Sequence, residues 1–350
     1  MYVHRRLAKL ATYLDHHESS RSHPDHHTFE FPRDWMPSAA VTQTAKEFIE
    51  REPTYDDEPL QVSFRHSCWH LDRSRVHRAL RASKVSPATV MRFVDCGSLA
   101  YVVREKSEKE RFRVVGNYCK SRWCVPCARA KSFVLRDSLF ERMHNRQLRF
   151  VTLTIKSHGQ PLGAMVKHLY DSFAKLKRTD FWINKVAGGV AFLEVKRQAS
   201  ATRWHPHLHC IVEGKFLPQK VLSQLWRAIT EDSHIVDVRL VKDQRSAANY
   251  VTKYCTKPMD NSVIKHEASL IEAINTLAGK RMMITFGTWR GIPLKPKTTP
   301  ADYTPIARLD KVLERARQGH SWALTIYARL RRLPDCERPH EYVDPDDYDP

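Results

Sequence analysis

Trp204-His205-Pro206-His207-Leu208-His209-Cys210-Ile211-Val212 reads as one β-strand that sets two imidazoles side by side. Successive side chains of a strand point to opposite faces, so His207 and His209 project together while Leu208, Cys210 and Val212 turn into a core. Two imidazoles at i and i+2 supply half of a metal site. His205 shares their face, but Pro206 restricts its backbone, so it reads as the start of the strand as much as a ligand. Alone, such a pair also fits a surface strand whose histidines merely face water. The flanking sequence has to decide.

Immediately upstream, residues 189 to 197 read as a second strand containing Phe192, Glu194 and Val195, and the short connection 198 to 204 suits a hairpin. If the two strands pair, Glu194 joins the histidines on the shared face. Two neutral imidazoles and one carboxylate make a site for a hard divalent cation, with positions left for phosphate oxygens and water. A structural zinc would call for a fourth protein ligand, and only His205 is near.

Downstream, Tyr250-Val251-Thr252-Lys253-Tyr254-Cys255-Thr256-Lys257 has helical character and is stopped by Pro258. A spacing of four sets Tyr250 and Tyr254 on one face, about 6 Å apart along the axis, with Lys253 and Lys257 in a parallel row. A phenol is a weak nucleophile at neutral pH, so it needs a polarised phosphate and nearby positive charge. The bland reading is a basic helix whose aromatics pack or touch nucleic acid.

The rest of this region is regular. Arg149 to Ile155 alternates as a strand, 161 to 178 has helical spacing through Leu169, Phe173 and Leu176, and 218 to 230 reads as a helix. Residues 234 to 241 and 281 to 286 read as strands, 244 to 257 and 266 to 278 as helices. The pattern predicts an α+β fold, a central antiparallel sheet with helices packed on one side of it.

Eight cysteines without an export signal argue for reduced thiols and a metal rather than disulfides. Cys124 and Cys127 form a Cys-x-x-Cys turn preset by Pro126. With Cys119, and with Cys96 brought back by a hairpin-like insert at 101 to 115, they offer four ligands to a structural zinc. A redox pair is the alternative, but its usual strand-to-helix setting is not evident, and buried unligated thiols are another.

Around these motifs the 350-residue chain carries a formal charge of +19 and a pI near 9.7, for which a polyanionic partner, nucleic acid first, is the simplest reason. No stretch approaches the roughly 20 apolar residues of a membrane span, so a soluble, cytoplasmic protein is expected. The expected organisation is a basic N-terminal region at 1–90 that includes His16, His17, His23, His26 and His27, a zinc-binding segment at 91–135 and the main domain at 145–295. A basic helical region at 300–333 and an acidic tail at 334–350 complete it. No Gly-rich phosphate loop is present, which argues against an intrinsic helicase motor.

Phe150-Val151-Thr152-Leu153-Thr154, Glu194 with Trp204 to His209, and Tyr250 to Lys257 occur in an order that resembles the HUH endonuclease superfamily, within it the rolling-circle replication initiators. The double-tyrosine pattern is similar to phage A proteins, and the cysteine group to the zinc segment of plasmid Rep proteins. The resemblance covers about 96 to 290. It implies an HUH fold, Mg2+ or Mn2+ at His207, His209 and Glu194, and cleavage of single-stranded or hairpin origin DNA by Tyr254. Tyr250 then serves in rejoining, and Lys253 and Lys257 hold charge or strand. A host helicase is an implied partner. Some one-tyrosine initiators carry a water-directing Glu where this chain has Tyr250, which puts hydrolytic termination in doubt. A transposase of the same superfamily, or a zinc-bearing single-strand-binding protein without catalysis, remain the competing readings.

Overall fold

The computed structural model describes residues 59–106, 111–198, 203–256, 261–291 and 303–332. The N-terminal histidines, the acidic tail and Lys257 lie outside the described residues. In chain order the elements begin with α1 (Leu60–His66), α2 (His70–Ala82), α3 (Pro87–Val94), β1 (Ala100–Glu105) and β2 (Phe112–Gly116). Then come α4 (Val125–Met143), β3 (Leu148–Thr154), α5 (Leu162–Leu176), α6 (Asp180–Lys185), β4 (Val186–Gln198) and β5 (Arg203–Gly214). They continue with α7 (Gln219–Thr230), β6 (Val236–Leu240), α8 (Gln244–Thr256), α9 (Asn261–Ile264) and α10 (Glu267–Leu277). The last are β7 (Met283–Gly287), β8 (Tyr303–Arg308), α11 (Leu309–Arg317) and α12 (Ser321–Arg332).

The chain divides into two compact units. One takes its described residues from the stretches up to His70, Met91–Cys119 and from Thr298 on; the other from Leu71–Val90 and Lys120–Lys297. In the first, β1 and β2 form the hairpin expected from the insert, and β8 adds antiparallel to β1, giving the order β2-β1-β8. Phe64, Val102 and Phe112 meet Leu309, Val312, Leu324 and Tyr327 in its core. The region 300–333, expected to be helical, holds α11 and α12 on either side of Gly319 but opens with the strand β8. Pro305 lies inside it, and a proline that lacks an N–H is tolerated because β8 pairs on one side only.

The second unit is built on a five-stranded antiparallel sheet in the order β6-β3-β5-β4-β7. The histidine strand is therefore central. On one face Leu139 and Met143 of α4 and Ala248 of α8 pack with Trp289 against Leu148, Val190, Phe192 and Ile211. On the other, α5 lies against β5, and Phe173 meets Phe286 edge-on at 5.6 Å. Helices thus cover both faces, not one as the alternation suggested. The reason is visible in Val190-Ala191-Phe192-Leu193, four consecutive residues with no solvent exposure: an unbroken apolar run marks a strand covered on both sides. Gly189 lets β4 and β7 close up, since a Cβ there would fall 2.2 Å from the Ile211 carbonyl oxygen and 2.8 Å from the Phe286 ring.

Candidate functional site

The pairing of β4 with β5 puts Glu194 opposite His207 and Phe192 opposite His209, and the pairing of β3 with β5 puts Thr154 opposite His207 and Thr152 opposite His209. Each imidazole therefore meets a neighbour from both sides. The Nδ1 of His209 is 3.2 Å from the Thr152 hydroxyl, and its Nε2 is 2.8 Å from Glu194 Oε2. The Nδ1 of His207 is likewise 3.2 Å from the Thr154 hydroxyl. His205 stacks beside His207 at 6.4 Å with nearly parallel rings.

Electrostatics follow from this burial. Desolvation works to raise the Glu194 carboxyl, but the His209 hydrogen bond and the positive fields of His209, Lys196 and His207 outweigh it and hold the group below the usual carboxylate range. Burial pushes His207 down to about 4 against the opposing pull of Glu194. At neutral pH the site thus holds a carboxylate and a neutral imidazole, the forms that donate to a cation. Two imidazoles and one carboxylate are donor types that a divalent ion accepts. Outside the four cysteines treated below, the described His, Cys, Asp and Glu residues give no group of three or more gathered closely enough to surround an ion, so His207, His209 and Glu194 share a face without closing on one point.

Facing them is α8. Asp243 caps its start, accepting from the Arg245 backbone N–H at 2.9 Å and from the Ser246 hydroxyl. Buried Ala248 seats the helix on the sheet. This carries the Tyr250 ring to 5.9 Å from the His209 ring and 5.2 Å from that of Phe150, edge-on to both, while Phe150 stacks on His209 at 5.6 Å. Tyr254 lies one turn further along α8 and Lys253 beside it in sequence. Thr152, Thr154 and Phe150 are direct neighbours of the histidines; the sequence marked them as an alternating strand and as the first motif of the resemblance, but not as partners of the imidazoles.

The ligand atoms of Cys96, Cys119, Cys124 and Cys127 all lie within 4.8 Å of one another, so the four thiols can hold a structural metal, and an all-sulfur set is consistent with zinc. Cys124 is the N-cap of α4 and Cys127 sits in its first turn, with Pro126 beside it. The Cys-x-x-Cys pair therefore does open a helix, a setting that the residues around it do not advertise. Trp69 Nε1 donates to His66 Nδ1 at 2.9 Å, so His66 Nε2 carries the proton and donates to the Cys96 carbonyl at 3.0 Å. Cys210 stands apart, fully buried, its thiol pushed far up by burial.

These observations define an α+β protein with a four-cysteine group able to hold a metal and a His-carboxylate face set beside a tyrosine-bearing helix. A family model described as "Replication protein" matches residues 111–330, more than half of the chain. The chain belongs to this replication protein family, that of the rolling-circle Rep initiators its motifs resemble. Among curated relatives, Protein rep of Streptococcus pneumoniae serotype 2 is 24% identical over 229 residues, 58% of this chain and 70% of that protein. Protein rep of Bacillus amyloliquefaciens is 29% identical over 142 residues, 36% of this chain and 42% of that protein. No solved structure matches the chain. No described helix is long and apolar enough to cross a membrane.

Proposed function

We propose that this initiator nicks single-stranded or hairpin origin DNA by tyrosine transesterification and rejoins strands with a second tyrosine. The observation that carries this reading is the Tyr250 ring at 5.9 Å from His209, whose Nε2 is 2.8 Å from Glu194. A tyrosine helix packed on a paired imidazole and carboxylate has little purpose in a DNA-binding module that performs no chemistry.

In this mechanism His207, His209 and Glu194 hold Mg2+ or Mn2+. When bound, the ion supplies Lewis-acid polarisation of the scissile phosphate. Tyr254 attacks phosphorus, an O–P bond forms, the P–O3′ bond breaks, and the phenol proton is balanced by protonation of the departing 3′ oxygen. One ester replaces another, no water is consumed, and the 3′-hydroxyl is left to prime synthesis. Tyr250 then attacks the regenerated junction while Tyr254 holds the 5′ end, and Lys253 and Lys257 steady the phosphate charge. Thr152 and Thr154, each with its hydroxyl 3.2 Å from an Nδ1, would orient the two imidazoles that hold the ion. Cys96, Cys119, Cys124 and Cys127 hold zinc in a structural role.

The test is nicking of a labelled origin oligonucleotide in metal-buffered solution. His207→Ala abolishes cleavage but keeps salt-sensitive DNA retention, which distributed Lys and Arg supply. Tyr254→Phe loses most covalent adduct, Tyr250→Phe nicks but fails in strand transfer, and the double variant forms none. Unchanged cleavage by His207→Ala removes the metal site, and adduct in the double variant places the nucleophile elsewhere.

A further inference from the structure

At the C-terminal end of α5 the second unit carries a cavity of about 400 Å³ that shares no residue with the candidate nicking site. Lys177, Arg178 and Arg290 line it together with Trp182, Ile183 and Phe286. Phe286 pairs with Gly189, so it projects from the face of the sheet opposite to His207 and Glu194. Along β4 the wall residue Ala187 lies seven positions from Glu194, about 23 Å of strand.

Three cations converge here. The Lys177 ammonium is 4.8 Å from the Phe173 ring centre and 5.9 Å from that of Phe286, which places it on the aromatic floor. Burial and the neighbouring Arg290 lower its pKa, Cys210 opposes them, and Arg178 adds to the lowering. Among the described residues no carboxylate pairs with Lys177, Arg178 or Arg290. Like charges held together at an apolar wall repel one another until an anion joins them. Two guanidiniums and an ammonium match the several oxygens of a phosphate better than the single charge of a carboxylate. Exposed Ile183, with buried Trp182 and Phe286 also in the wall, offers a planar ring an apolar surface. The volume suits one small ligand and is too small for a docked helix.

We propose that this cavity is a second ligand site that takes a nucleotide, its phosphate held by Lys177, Arg178 and Arg290 and its ring against Ile183. The nucleotide comes either from a DNA strand or from free solution. The proposal goes beyond the nicking reading and does not depend on it.

The experiment measures equilibrium binding by the full chain, without turnover. Lys177→Gln with Arg290→Gln is compared with Lys220→Gln and Arg227→Gln on the exposed side of α7, which removes the same charge. The probes are thymidine 5′-monophosphate, inorganic phosphate, a 40-nucleotide single strand and a glutamate-rich peptide. The cavity pair is expected to bind a nucleotide probe at least tenfold more weakly than the control pair, and Lys177→Arg to retain binding. Weakening on thymidine monophosphate marks a free-nucleotide site. Weakening on the long strand alone, with a salt slope smaller by about 0.7 for each phosphate no longer neutralised, marks a DNA-strand site. Equal binding by cavity and control pairs to both nucleotide probes overturns the proposal. So does inorganic phosphate bound as tightly as the nucleotide, or a peptide that binds at the cavity while nucleotides do not. None of these outcomes touches the nicking assay, so the two readings fail separately.

Discussion

Thr152 and Thr154 make the plainest demand on experiment. Each hydroxyl is 3.2 Å from the Nδ1 of a histidine on the neighbouring strand, the position from which a partner fixes ring orientation and tautomer. Valine keeps the shape and removes the oxygen. Thr152→Val and Thr154→Val are expected to weaken Mn2+ binding by about 10–100-fold in titration calorimetry of the protein with metal alone, and serine is expected to restore it. Metal affinity unchanged by both valines would leave the threonines as packing residues. The spacing of His207, His209, Tyr250 and Tyr254 is written along the sequence, because i+2 on a strand and i+4 on a helix are local geometry. The threonine contacts are not, since they arise when β3 and β5, more than fifty residues apart, settle into one register.

Among the elements, most of the sheet and its helices were legible from periodicity. Arg203–Gly214 and Val186–Gln198 run a residue or more beyond the expected strands, because hairpin pairing extends both until the chain must turn. The start of α4 was not legible: Cys124 reads as a turn residue, and only the helix behind it shows that it is an N-cap. If zinc joins Cys96, Cys119, Cys124 and Cys127, then Cys124→Ser is expected to lower zinc content and the thermal midpoint together, because a structural metal's binding energy is folding energy. Metal analysis of purified protein checks it. At the end of β5, Glu213 accepts from Trp289 Nε1 at 2.7 Å and from Arg146 at 2.5 Å. Burial works to raise its carboxyl, but those two bonds and the charges of Arg146 and Arg142 leave it below the usual range. A depressed folded value means that Glu213 stabilises the fold above its unfolded value of about 4.3, and that this is lost as pH falls through the folded value. Glu213→Gln is therefore expected to lower the thermal midpoint at pH 7, and by less at a pH below about 4. An equal gap at both pH values would refute the assignment.

For the whole molecule, the charge of +19 already pointed to a polyanion before any fold was known. Neither composition nor pattern could place the cavity beside Lys177, because its wall draws on α5, α6, β4 and β7, whose meeting is a property of the folded sheet. The central position of β5 has a consequence for motion. His207 and His209 hang from a part of β5 that is laddered on both sides, to β3 and to β4, so releasing either means breaking two ladders. Native-state hydrogen exchange is expected to find the amides of residues 207–212 among the slowest in the chain, opening only with global unfolding. The proposed strand transfers need reacting groups that stay aligned from one step to the next, and His207 and His209 are set in a stretch of strand paired on both sides.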